Sequence, residues 1–166
     1  MSIWKGSVTL EELNRRVDNT LVQHLGIEFT EIGDDYLKAT MPVDRRTTQP
    51  FGMLHGGASL VLAETLGSAA GYLCVDRERH YCVGMEINAN HVRPVPSGSG
   101  PVYGIARPIH IGRKTHVWGI SIHTPDDKLI CISRITLSVL ERENNDRDCA
   151  LFTSHYSRRI AVSDWP

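Results

Sequence analysis

The stretch Gln49–Val75, QPFGMLHGGASLVLAETLGSAAGYLCV, constrains this chain more than any other. A turn at Pro50, Phe51 and Gly52 runs into His55-Gly56-Gly57, and an apolar segment continues to Val75. Between Leu54 and Val75 the only carboxylate is Glu64, and there is no Lys or Arg. Some 18 residues of helix would be about 27 Å long, enough to cross a small domain. Apolar residues lie on all sides, which predicts a buried central helix rather than a surface one. Ala58, Ser59, Ala63, Gly67, Ser68, Ala69, Ala70 and Gly71 would let other backbone come close. Each glycine costs about 1 kcal/mol of helix propensity, so packing must hold such a helix together.

The rest of the chain is ordered around that segment. Thr9-Leu10-Glu11-Glu12 has the capping-box pattern, and Leu10, Leu13 and Val17 follow at helical spacing to about Asn19. Thr20–Gly26 adds a helical turn ended by glycine. Ile27–Ile32 and Tyr36–Val43 read as a hairpin turned at Gly33-Asp34-Asp35. After the helix come strands at Cys82–Val92, Val102–Ile111, Thr115–His123 and Lys128–Leu140, with a Pro-rich loop at 94–101. Two strands, a long helix and four strands joined by short connections predict an α+β fold, an antiparallel sheet packed on one helix. A six-stranded curved sheet wrapped round one long central helix is the hotdog arrangement. Residues 1–140 form the expected domain. From Glu141 to Pro166 the sequence turns polar and loses periodicity, an appendage with no assigned role.

Composition narrows the function classes. At 166 residues the chain suits one domain with a real core. Eighteen basic against nineteen acidic residues give a net charge of −1, which argues against a general nucleic-acid or anionic-membrane surface. The N-terminus lacks an apolar core long enough for a secretory signal, and Gln49–Val75 is too interrupted for a membrane span. Cys74, Cys82, Cys131 and Cys149 form no CxxC pair, so a reduced, cytoplasmic setting is expected. Eight histidines show no HExxH or comparable spacing, so no metal site is expected.

A lone carboxylate in an apolar helix needs a reason, because burying it unpaired is costly. Glu64 is either satisfied at a sheet edge or subunit boundary, or it faces a ligand cavity. Ser68, at i+4, shares its helical face and can donate to it. At the other end, the N–H groups of Gly56 and Gly57 are orphan donors at the positive end of the helix dipole. They suit an oxyanion hole as well as a plain Gly-rich turn. Gln49 and His55 flank that turn and can add a donor or orient the loop. Gly56 and Glu64 are eight residues apart, about 12 Å on a straight helix. Reacting groups must approach one carbonyl to about 3–3.5 Å. One chain cannot satisfy both distances, but two antiparallel helices of a two-fold dimer can.

The run QPFGMLHGGAS…LAETLGS…GYL, with VGMEINANHVRPV and PIHIGRKTHVW, resembles the hotdog acyl-CoA thioesterases of the 4-hydroxybenzoyl-CoA thioesterase superfamily, Arthrobacter-type and PaaI-like. Within it, the likeness is greatest to the branch acting on 1,4-dihydroxy-2-naphthoyl-CoA or proofreading carrier-protein thioesters of the enterobactin pathway. It runs from Ile3-Trp4-Lys5 to about Leu140. The resemblance implies Glu64 as nucleophile or general base, Gly56 polarising the thioester carbonyl, Gln49 and His55 near that carbonyl and the leaving sulfur, and Ser68 holding the carboxylate or a water. It implies a coenzyme A site at Val83, at His91, Val92 and Arg93, and at His110, Ile111, Gly112, Arg113, Lys114 and Thr115. The basic groups there suit phosphate, though alone they would read as solvated loop charges. Cofactors are not required, and a tetramer built from two dimers is implied.

Three features depart from that family pattern: the longer 94–101 loop, Tyr103 where a basic residue is usual, and small Ala69 where a larger apolar residue is usual. Two alternatives to an acyl-CoA thioesterase are a hotdog dehydratase or hydratase, whose catalytic His and acid are placed differently, and a non-catalytic acyl-CoA-binding module, which would gain little from Glu64.

Overall fold

The computed structural model describes residues 2–142; the polar stretch expected as an appendage lies, beyond Arg142, outside the described residues. Two short helices, α1 (Leu10–Arg16) and α2 (Leu21–His24), precede the strands β1 (Glu28–Ile32) and β2 (Leu37–Met41). The long helix α3 (Gly56–Leu73) follows, then β3 (His80–His91), β4 (Val102–Ile111), β5 (Thr115–His123) and β6 (Leu129–Glu141). The six strands make one antiparallel sheet in the order β1-β2-β4-β5-β6-β3. The predicted α+β succession is therefore the observed one. The capping box is present, with Glu12 N–H donating to Thr9 Oγ1 at 3.2 Å and Thr9 N–H to Glu12 Oε2 at 2.9 Å. Helix α1 stops at Arg16 rather than near Asn19, because Asn19 takes φ +59° and donates its N–H to Gln23 Oε1 at 2.7 Å.

Helix α3 lies on the sheet and buries Leu62, Ala63, Leu66, Gly67, Ala70 and Gly71 on one side. Its glycines admit side chains of the sheet rather than the backbone expected. A Cβ on Gly67 would fall 2.3 Å from Ile135 Cγ2, and one on Gly71 would fall 2.3 Å from Leu137 Cδ1. Burial all round the helix was expected, and a single chain does not provide it. The other flank, with Val61, Glu64, Thr65, Ser68 and Ala69, is only half-buried.

The N-terminal segment closes the far end of α3. Lys5 N–H donates to the orphan Leu73 carbonyl at 2.7 Å. Trp4 stacks on the fully buried Trp118 with ring centroids 6.1 Å apart, and its Nε1–H reaches Gly33 O at 2.6 Å. Strand β3 forms one edge of the sheet over 12 residues and leaves Val83 and Met85 exposed, Met85 by 64%. A long apolar edge with unpaired backbone groups is a template for another strand.

Two outcomes follow from this packing. Gly67→Ala improves helix propensity by about 1 kcal/mol, yet overpacking against Ile135 costs roughly 1–3 kcal/mol. The variant should melt a few degrees lower, and an unchanged or raised Tm would show that Ile135 yields. His116 is buried beside Leu137, its Nδ1 has no hydrogen-bond partner among the described residues, and burial holds its pKa below the ordinary 6.5. The unfolded chain then binds the extra proton first as pH falls. Stability from this group is whole above pH 6.5 and erodes below it. His116→Gln should flatten that slope in denaturant titrations between neutral and mildly acid pH.

Candidate active site

The loop before α3 is pinned by its own polar groups. Thr47 Oγ1 accepts the Asp44 N–H at 3.1 Å and donates to Pro42 O at 2.7 Å. Gln49 N–H meets Met53 O at 2.8 Å, and Gly52, with φ +75°, turns the chain between them. The Gln49 side chain accepts the Phe51 N–H on Oε1 at 2.8 Å, and among the described residues its amide NH2 has no acceptor. His55 is the N-cap of α3, and its Nδ1 accepts the Gly57 N–H at 2.8 Å. That bond fixes the tautomer with hydrogen on Nε2.

Both Gly56 and Gly57 were expected to offer open N–H groups, and the His55 cap takes one of them. Among the described residues the Gly56 N–H is left without a partner. A Cβ at Gly56 would lie 2.8 Å from His91 Nε2, so glycine lets β3 and the helix start sit together. Gln49, His55, Gly56, Ser59, His91 and Arg93 border one open cavity of about 550 Å³. Its wall carries hydrogen-bond donors at the positive end of a helix, an arrangement suited to a carbonyl oxygen gaining negative charge.

Glu64 borders a different cavity, of about 610 Å³, whose wall is almost wholly apolar. Ser68 Oγ donates to Glu64 Oε1 at 2.9 Å, the predicted i+4 contact. Across from it, a Cβ on Gly84 would fall 2.8 Å from Glu64 Oε1. Strand β3 bulges between Gly84 and Glu86, which gives the carboxylate its room. Ala69, Val61 and Leu13 line the same space. The carboxylate and the donor cluster thus open onto separate cavities, and within one chain they are not brought together.

The predicted coenzyme A residues divide in the same way. His91, Val92 and Arg93 line the donor cavity, with Arg93 held by a 2.6 Å bond from Nη1 to Leu129 O. Residues 110–115 form the β4–β5 turn, and their Thr115 stands in register with Ser138, which pairs with Val83. On β3, Val83 and His91 are eight residues apart, about 26 Å along a strand. Tyr103 sits at the opposite end of β4 from that turn. The sequence reading missed the contribution of α1, whose Leu13, Arg16 and Val17 wall the Glu64 cavity, and that of Tyr72. Tyr72 was detectable, since it continues the i, i+4 row of Glu64 and Ser68. Among the described residues no three His, Cys, Asp or Glu side chains gather as a metal site would require, and no helix is long and apolar enough to cross a membrane.

Residues 51–131 match the family model described as the thioesterase superfamily. The 1,4-dihydroxy-2-naphthoyl-CoA hydrolase of Escherichia coli K12 is 53% identical over 138 residues, covering 83% of this chain and 98% of that one. The proofreading thioesterase EntH of Cronobacter turicensis is also 53% identical, with 83% and 98% covered. The crystal structure of a Haemophilus influenzae thioesterase superposes with a TM-score of 0.80 at 55% identity, covering 84% of this chain and 95% of that one.

Proposed function

This chain belongs to the thioesterase superfamily and is a hotdog-fold thioesterase, and from that premise we propose that it hydrolyses an aromatic or medium-sized acyl thioester of coenzyme A at a site shared by two subunits. Glu64 is the nucleophile or general base. The Gly56 N–H of the partner subunit polarises the thioester carbonyl, with the Gln49 amide and the His55 Nε2–H beside the carbonyl and the departing sulfur. Ser68 orients the carboxylate through its 2.9 Å bond. Water adds across the C–S bond, giving the free acid and the thiol. An attacking carboxylate passes through an anhydride that water then opens; a general base reaches the same products in one addition.

The observation that carries this reading is the division of the proposed catalytic groups between two cavities, one at the N-terminal end of α3 and one along its flank from Leu60 to Tyr72. About 12 Å of helix separates Gly56 from Glu64, so a single chain cannot bring both to one carbonyl. Pairing of two β3 edges about a two-fold axis would set the helices antiparallel and put each Gly56 opposite the other Glu64. The same operation would carry Arg113 and Lys114 of one chain toward the His91–Arg93 segment of the other, composing a phosphate site neither chain holds alone. Two such dimers back to back make the proposed tetramer. The apolar Glu64 cavity suits a ring system such as 1,4-dihydroxy-2-naphthoyl, and Ala69 leaves its wall open where a larger residue would narrow it. An aryl carrier-protein thioester is the competing substrate, since it presents the same acyl group on a pantetheine arm.

The deciding assay is thiol release from benzoyl-CoA, dihydroxynaphthoyl-CoA, lauroyl-CoA and an aryl carrier-protein thioester. Glu64→Gln should lose at least about two orders of magnitude of kcat while keeping its oligomeric state. Turnover of none of the four by the unmutated protein would refute the proposed hydrolysis and favour a binding module. The shared site has its own test. Gly56→Val and Glu64→Gln chains, each inactive alone, should recover about a quarter of wild-type activity when co-assembled, because half the dimers are mixed and each mixed dimer has one intact site. No recovery in demonstrably mixed dimers would place the whole site in one chain.

A further inference from the structure

The far end of the Glu64 cavity holds a polar pair that the chemistry at the thioester does not use. Glu64, Ser68 and Tyr72 follow one another at intervals of four on the same face of α3 and all border that cavity. Tyr72 is eight residues beyond Glu64, about 12 Å along the axis. There the Arg16 guanidinium, at the end of α1, donates from Nη1 to Tyr72 Oη at 2.6 Å and lies 5.0 Å from the Tyr72 ring centroid. Arg77 stands 5.7 Å from the same centroid, and its Nη2 is tied to Lys5 O at 3.1 Å. The tyrosine is thereby held by two cations.

Arg16 itself is poised by α1. Asn14 clips that helix to β1, accepting the Phe29 N–H at 2.8 Å and donating to Phe29 O at 3.0 Å. Among the described residues, the ion pairs engage Lys38, Arg46, Arg79, Arg107, His123 and Lys128, and no carboxylate is paired with Arg16. Between the two polar ends the wall is Leu13, Val17, Phe29, Val61 and Ile87. An apolar channel that runs from the attacking carboxylate to an exposed cation, which has remaining N–H donors and no paired carboxylate among the described residues, selects for an acyl group with a matching far end.

Resting on the thioesterase reading above, we infer that Arg16, positioned by Tyr72, reads the distal end of the acyl group and favours acyl chains carrying an oxygen acceptor there over unsubstituted ones. The spacing leaves roughly 6 Å between the thioester carbonyl and that acceptor once contact distances at both ends are allowed for. One aromatic ring with a para oxygen spans this length. Arg16 is a specificity residue, remote from bond breaking. Arg16 is exposed in the single chain; once the bound acyl group covers it, a hydrogen bond to a charged donor discriminates by about tenfold or more.

The test compares kcat/KM for benzoyl-CoA, 4-hydroxybenzoyl-CoA and 4-carboxybenzoyl-CoA on wild type, Arg16→Gln and Tyr72→Phe, all as assembled full-length protein. Wild type should favour the para-oxygen substrates over benzoyl-CoA by about tenfold. Arg16→Gln should bring that ratio to within about twofold of unity, and Tyr72→Phe should reduce it in part. The larger loss for 4-carboxybenzoyl-CoA would identify charge as the feature read, and equal loss for both would identify the acceptor oxygen alone. Hydrolysis of all three at similar rates by wild type, or a ratio unmoved by Arg16→Gln, overturns the inference while leaving the thioesterase reading intact. Absence of turnover on every thioester overturns both.

Discussion

The structure depends on how closely α3 approaches the sheet. Side chains of Ile135 and Leu137 reach the helix surface at Gly67 and Gly71, where even a methyl group would collide with them. A third glycine does the same from the sheet side, since a Cβ on Gly104 would meet Leu66 Cδ1 at 2.4 Å. The helix gives up intrinsic stability at these positions and regains it from burial of Leu62, Leu66 and Leu73 against Trp118, Ile120 and Ile122. Burial of that kind fixes the helix rotationally. It leaves Glu64 on a half-buried flank of the helix, where its carboxylate reaches Gly84 at the β3 edge of the sheet.

The same close approach sets the register of the site. Gly84, next to a bulge in β3, admits the Glu64 carboxylate, and Gly56 admits the ring of His91. Local capping then allots the donors: His55 takes the Gly57 N–H, and the Gly56 N–H stays open. Small residues thus bring polar groups within reach without adding bulk, while the Asn14 clip brings α1 over the cavity as its outer wall. The Glu64 flank is apolar apart from a few fixed polar groups, which is the usual make-up of a small-molecule site.

Much of this was legible beforehand because it is written in local pattern. The Thr9 capping box, the alternation in the strands and the long segment of small and apolar residues each follow from one element's own period. So does the Glu64–Ser68 contact, which needs only i+4 spacing. The capping of α3 by His55 was not legible, because a histidine at that position could equally have stood as an open donor. The role of α1 was hidden for a different reason. Leu13 and Val17 read as an amphipathic face packed on a core, and only the docking of Asn14 onto Phe29 reveals that the face partly borders empty space.

By itself, the sequence determined the α+β class, the order of elements, the single carboxylate in an apolar helix and the about 12 Å that keeps it from Gly56, since that distance is fixed by helical rise alone. The tertiary structure decided which flank of α3 meets the sheet, that the two groups open onto different cavities, and that residues 91–93 and 110–115 stand at opposite ends of the sheet. Periodicity is a property of one segment and can be read from it. Facing and distance between segments depend on packing and strand register, which arise only when remote parts of the chain compete for the same buried space.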